Sequence, residues 1–218
     1  MAKAISTLFI SADGVAEIDP AWHFPYFDEN MGRAVTEDYA TSDVLLLGRV
    51  TYDSFAGAWP DRESAGEADA EMAKNLGDMR KIVVSRQPLE FTWRNSELLS
   101  GELTEAVAAL KADSGVRGIL IPGSISVVQQ LLAAGLLDEL PLLIHPVAAR
   151  TGRRLFDEGD VRYHFSVAGS EGLRSKGQFA LRHAEPTARV VVFRGGARSR
   201  AAPYSVGAGL TPGRGWKA

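Results

Sequence analysis

Two apolar rhythms alternate along this chain. Short, nearly continuous apolar or β-branched runs recur at Ala4–Ile10, Val44–Leu47, Lys81–Ser85, Gly118–Ile121 and Leu140–Val147. Between them the apolar positions follow helical spacing: Phe27, Met31, Ala34, Val35 and Tyr39; Ala68, Met72 and Leu76; Leu103, Ala106, Val107 and Leu110; Val127, Val128, Leu131 and Leu132. Runs without alternation suit strands buried on both faces, and strands that alternate with helices predict an α/β domain. The expected architecture is a mostly parallel central sheet with helices on both faces. Ser11-Ala12-Asp13-Gly14 is a turn that ends the first strand. A short helix over Arg49–Phe55 is expected to stop near Pro60, Gly135 stands where a helix C-terminal cap belongs, and Pro141 must start its strand or lie on an edge. Tyr163, Phe165 and Val167, then Phe179 and Leu181, alternate, which predicts an antiparallel hairpin at the sheet edge.

Composition narrows the class. A chain of 218 residues is one domain with a remainder. The domain is expected over 1–184, and the remainder over 185–218. That remainder is rich in Gly, Ala and Pro and sets six cations (Arg189, Arg194, Arg198, Arg200, Arg214 and Lys217) against one acid, Glu185. Apart from a strand over Val190–Phe193 it reads as a flexible, solvated tail. A net charge of −3 supplies no global field for nucleic acid. The absence of cysteine excludes disulfides, thiolate catalysis and cysteine-bound zinc. The four histidines, His23, His145, His164 and His183, have no metal-ligand spacing, so no metal is expected. His145 ends a strand, within reach of a ligand, although a structural role suits it better. With neither a leader-like N-terminus nor a membrane-length apolar run, a cytoplasmic protein is expected, without membrane or nucleic-acid partners.

Candidate chemistry sits where strands end, because open α/β sheets bind ligands at their carboxyl edge. Gly48-Arg49-Val50-Thr51-Tyr52 follows one strand and Ser85-Arg86 the next. Pro122-Gly123-Ser124-Ile125-Ser126 follows a third and opens a helix, whose free N–H groups suit a phosphate. Two arginines at neighbouring strand ends can flank a second, terminal phosphate. One diphosphate and one monophosphate is the charge pattern of NADPH. The Rossmann and Walker fingerprints are absent, so spacing alone supports only a nucleotide-binding α/β domain.

In order, Ser11-Ala12-Asp13-Gly14, Leu45 to Tyr52, Lys81 to Arg86, and Gly123-Ser124 through Gly135-Leu136-Leu137-Asp138-Glu139-Leu140 resemble the dihydrofolate-reductase-like family. His145-Pro146-Val147, Gly152 and Leu155-Phe156 extend the likeness to the branch similar to the C-terminal reductase domain of the bacterial riboflavin-biosynthesis deaminase–reductase. The resemblance covers residues 3 to about 183. It implies a single dihydrofolate-reductase-like domain whose sheet has about eight strands, the last antiparallel, and it implies NADPH as hydride donor. It places Gly48, Arg49, Thr51, Ser85 and Arg86 on the adenosine side of the cofactor and Gly123 at the pyrophosphate. Pro122 departs from the family's glycine pair and lacks an N–H, for which Ser124, Ile125 and Ser126 can compensate.

On the substrate side the same resemblance puts Asp13 under the nicotinamide loop. It also puts a carboxylate, Asp28 or Glu29, on the first helix, although acids in a first helical turn also simply oppose the macrodipole. Trp22 and Phe27, with Phe24 and Tyr26, form an aromatic cluster that is either core or a shelf for a flat ring. The candidate catalytic residues are therefore Asp13 and Asp28, and the candidate substrate residues Trp22 and Phe27. The expected activity is NADPH-dependent hydride transfer to a small pterin- or pyrimidine-like heteroaromatic or imine-like substrate. A non-catalytic nucleotide-binding protein on the same fold is the alternative. The edge hairpin and family habit suggest a homodimer.

Overall fold

The computed structural model describes residues 1–66, 69–156, 162–173, 178–181 and 189–193. The first apolar run forms two strands, β1 (Lys3–Ile5) and β2 (Leu8–Ser11). It breaks at Ser6 and Thr7, where both hydroxyls leave the strand for tertiary partners. Ser6 Oγ donates to the Ile121 carbonyl at 2.9 Å, and Thr7 Oγ1 donates to the buried Asp38 carboxylate at 2.7 Å. This corrects the single strand expected over Ala4–Ile10.

The chain then passes through a four-residue helix α1 (Pro20–His23), a 3₁₀ turn (Phe24–Tyr26) and α2 (Glu29–Ala40). Strand β3 (Val44–Gly48) leads directly into α3 (Arg49–Ala56). Pro60 does not merely end that helix. It lies in the first turn of a further one, α4 (Trp59–Ala65), where proline's missing N–H costs nothing. Helix α5 (Ala70–Asp78), β4 (Arg80–Val84) and β5 (Ser96–Leu98) follow. Next come α6 (Leu103–Ala112), β6 (Gly118–Leu120), α7 (Ile125–Ala133) and β7 (Leu142–His145). Three later strands are β8 (Ser166–Leu173), β9 (Gln178–Leu181) and β10 (Arg189–Phe193). Tyr163 and Phe165 precede β8 and make a ring cluster with Phe156. The remainder of the expected tail lies outside the described residues.

The strands form two five-stranded arrays, β1-β6-β3-β4-β5 and β10-β8-β9-β7-β2. The broken first strand joins them, since β1 pairs with β6 and β2 with β7, both in parallel. The pairs β3–β6, β3–β4 and β4–β5 are also parallel, whereas β9 runs antiparallel to β7 and to β8. This is the mostly parallel sheet flanked by helices of a dihydrofolate-reductase-like domain. The apolar runs supply both faces. Leu46, Ile82 and Ile119 pack with Val107 of α6 and Val128 and Leu131 of α7. Leu45, Leu47, Val83 and Leu120 pack on the opposite side with Tyr52 of α3 and Leu76 of α5. Helix α2 covers the other array, with Met31 against Leu143 and Phe9.

Candidate functional site

Because β2, β3, β4, β6 and β7 run the same way, Ser11, Gly48, Val84, Leu120 and His145 all end at one edge of the sheet. Near the middle of that edge the sheet forks. Ile121 N–H donates to the Ile5 carbonyl at 2.8 Å, and past that bond β6 and β2 share no ladder. A split between strands at the carboxyl edge is where open α/β sheets hold ligands.

On one side of the fork the expected cofactor residues converge. Gly48 N–H donates to Ser124 Oγ at 2.6 Å, and Thr51 Oγ1 lies 2.7 Å from the same oxygen. The start of α3 and the start of α7 are therefore fastened through one hydroxyl. Ser124 holds φ +64 and ψ +69, a left-handed conformation costly for a side chain, and its Oγ makes no capping bond to its own helix. Gly123 has φ +156, and a Cβ there would lie 3.5 Å from Thr51 Cγ2. The backbone conformation at 123 thus calls for glycine by itself. The helix's own bonds begin with Val127 and Val128 donating to Ser124 O. The amides of Ile125 and Ser126 precede them, in the stretch where helix donors lack intrahelical partners.

Arg49 stands half exposed beside this junction, with Nε 3.4 Å from Asp53 Oδ2 and Nη1 donating to Gln87 Oε1 at 3.3 Å. Ser85 Oγ donates to Gln87 O at 2.9 Å, so the strand ends carrying Arg49 and Ser85 meet through Gln87. Arg86 is exposed next to them.

Asp13 lies on the other side of the fork, after β2. Its carboxylate accepts Ser11 Oγ at 2.6 Å and the amides of Ala149 and Arg150 at 2.9 Å each, with Arg154 Nη2 at 3.6 Å. Arg154 also donates to the Asp13 carbonyl. The Ser11 hydroxyl, with the Arg150 and Ala149 amides adding to it against a smaller burial effect, holds Asp13 at about 2. Arg150 takes a left-handed φ of +65 where Asp13 grips it. Asp28 is the N-cap of α2, accepting Met31 N–H at 3.0 Å.

Trp22 is buried and Phe27 is 42% exposed, and the two meet around residues that sequence reasoning did not place in the site. His23 and His145, 122 positions apart, stack with ring centres 5.1 Å apart and Nδ1 of His23 at 3.1 Å from Nε2 of His145. Phe9 and Phe27 pack against His23 at 4.5 and 5.4 Å, and Trp22 against His145 at 5.2 Å. Burial, with the neighbouring imidazole's charge, pushes His23 down to about 4. Burial also lowers His145, against the pull of the Leu143 and His23 backbone. The one sequence signal for this pair was that His145 ends a strand. Among the described residues there is no group of three metal-ligating side chains, and no helix is long and apolar enough to cross a membrane.

Known proteins share this fold. A pyrimidine reductase-like protein from Corynebacterium diphtheriae superposes with a TM-score of 0.62 at 15% identity, over 86% of this chain and 92% of that one. RibD from Acinetobacter baumannii superposes with a TM-score of 0.57 at 14% identity, over 84% of this chain and 58% of the longer RibD chain. In sequence, the uncharacterized protein YyaP of Bacillus subtilis is 27% identical over 148 residues, 68% of this chain and 76% of YyaP. The RibD C-terminal domain family matches residues 2–179, and the protein belongs to that family.

Proposed function

We propose that this protein is an NADPH-dependent reductase that delivers a hydride to a small heteroaromatic or imine-like substrate, of pyrimidine or pterin type. The junction of Gly48, Thr51 and Ser124 beside the first-turn amides of α7 carries this reading. It fits a diphosphate: the Ile125 and Ser126 amides supply donors at the positive end of a nine-residue helix, and Gly123 brings bare backbone alongside them. Arg49 and Arg86, with Ser85, fit the cofactor's separate monophosphate. Bound there, NADPH supplies the hydride, and the protein supplies alignment and exclusion of water.

In this reading the fork between β6 and β2 holds the nicotinamide end, with Trp22 and Phe27 walling the substrate. Asp13, ionised and fully engaged, fixes the 148–154 loop instead of donating a proton, and Asp28 serves α2. A non-catalytic nucleotide-binding role is the second reading, favoured by Pro122, which removes one amide from the phosphate end. Following NADPH absorbance with pyrimidine- and pterin-type substrates separates the two. Turnover supports the reductase, while cofactor binding without oxidation across the panel favours the second. A cytoplasmic homodimer belongs to the same proposal. Exposed Phe156, Tyr163 and Val167 offer apolar surface for a second copy, and sedimentation at twice 23.5 kDa is the expected result.

A further inference from the structure

We propose that the stacked pair His23–His145 is the polar recognition element of the substrate side, and that Nε2 of His23 accepts an N–H of a flat, uncharged heteroaromatic substrate. This rests on the reductase reading and adds the chemistry by which the substrate is chosen.

The hydrogen-bond chain has a direction. Leu143 O, 3.2 Å from His145 Nδ1, is a carbonyl and can only accept, so we assign the ring proton of His145 to Nδ1. In the neutral ring Nε2 of His145 then carries a lone pair, which takes Nδ1–H of His23 at 3.1 Å. That assignment leaves Nε2 of His23 as an acceptor. No salt bridge reaches either ring among the described residues, and burial lowers both imidazoles, so the pair is neutral near pH 7. A neutral acceptor suits an uncharged N–H donor and gives no attraction to an anion.

The surroundings match that chemistry. Phe9, Phe24 and Phe27 pack on His23 with ring centres at 4.5, 5.2 and 5.4 Å, and Trp22 and Tyr26 pack on His145 at 5.2 and 5.8 Å. Aromatic walls around one convergent polar group are the usual make-up of a site for a flat ligand. A purely structural contact between α1 and β7 would be served by apolar side chains, without the desolvation of two imidazoles that are 6% and 0% exposed. The pair also stands at the carboxyl end of β7, next in strand order to the fork.

A diaminopyrimidine, which donates N–H, is compared with unsubstituted pyrimidine, which has none. Imidazole nitrogen NMR and tryptophan fluorescence are the readouts. The expected result is that the diaminopyrimidine moves the His23 Nε2 resonance and binds at least about tenfold tighter than pyrimidine. His23→Phe should abolish that preference, and His23→Gln, whose amide oxygen can still accept, should restore part of it. A melting curve on each variant checks folding, and if neither folds the wild-type resonance decides alone. A stationary resonance, or a folded His23→Phe that keeps the preference, overturns the inference. An NADPH titration of the wild-type protein separates the two readings. Cofactor binding with a silent His23 sinks only this inference, whereas failure to bind NADPH sinks the reductase reading itself.

Discussion

Ser124 Oγ accepts the backbone N–H of Gly48 at 2.6 Å, and through that contact the turn after β3 is fixed to the start of α7. The approach leaves no room for a side chain at 48. A Cβ there would fall 2.6 Å from Ser124 Oγ and 2.8 Å from its Cβ. Gly48→Ala therefore has to push α7 away from β3, at a cost of about 1–3 kcal/mol for the overpacking. It should also weaken NADPH binding, because the amides of Ile125 and Ser126 move with the helix. Denaturant unfolding and cofactor titration on one sample check both effects. A destabilised Gly48→Ala that binds NADPH as the wild type does would remove this junction from the cofactor site.

Arg49 and Arg86 lie at the ends of adjacent parallel strands, with Gln87 between their turns. If they hold the 2′-phosphate, replacing both with Ala should raise the Kd for NADPH by about 10- to 100-fold, at roughly one charge-assisted contact each. NADH binding should change by less than about twofold. Equal losses for the two cofactors would contradict the assignment.

Asp13 is held at about 2, chiefly by the Ser11 hydroxyl and then by the Arg150 and Ala149 amides. It therefore stays ionised across the working range, and a rate profile should carry no limb near pH 4 from this carboxyl. Asp13→Asn exchanges one acceptor oxygen for a donor that faces a backbone N–H. We expect kcat/KM to fall while the shape of the pH profile is retained. A limb that disappears in Asp13→Asn would instead make Asp13 an acid of the reaction.

The α/β pattern was legible because the buried strands are nearly continuous apolar runs. Val44–Leu47 sends Leu46 to one core and Leu45 and Leu47 to the other. The break at Ser6–Thr7 was not legible, since its cause lies in Ile121 and Asp38, far along the chain. Pro60 read as a stop because proline gives the same local signal at the end of one helix and the start of the next. Strand-end logic gathered Gly48, Thr51, Gly123 and Ser124, which the structure brings into contact. It missed His23 with His145, because a pair made across 122 residues leaves no spacing to read.

The same pair makes stability depend on acid. Burial, reinforced by His145, holds His23 at about 4 in the folded protein against 6.5 for an ordinary histidine. Between those values the unfolded chain binds more protons, so stability is complete above pH 6.5 and is lost as pH falls toward 4. By pH 5 the loss should be on the order of 1–2 kcal/mol. Thermal melts at several pH values should show this slope in the wild type and a shallower one in His23→Gln. Parallel slopes would mean that His23 titrates normally.

Lys81 is a second buried base, in a different core beside Leu76 and Trp93, and it titrates in the alkaline range. It points from β4 beneath the end of α5 and is wholly buried. Nζ donates to the carbonyls of Leu76, Gly77 and Met79 at 2.8, 2.9 and 2.7 Å, one acceptor for each proton of an ammonium, and lies 4.3 Å from the centre of the Trp93 ring. Those carbonyls end a helix, where a cation is favoured. Burial works against the charge, with a smaller push from Arg94 against Asp78 and Glu63, and brings Lys81 down to about 8 from 10.5. Unfolded chains hold the proton more tightly over that interval, so unfolding free energy should rise as pH climbs from about 8 toward 10.5. Lys81→Met keeps the length of the side chain but takes the Nζ donor from the Leu76 and Met79 carbonyls, while Gly77 O keeps Asn95 Nδ2 at 3.1 Å. It should cost about 2–3 kcal/mol at neutral pH, seen as a melting point lower by about 5–10 °C. The variant should also lose the alkaline rise. If Lys81→Met melts as the wild type does, the Leu76 and Met79 carbonyls find other donors and the lysine is not what closes α5.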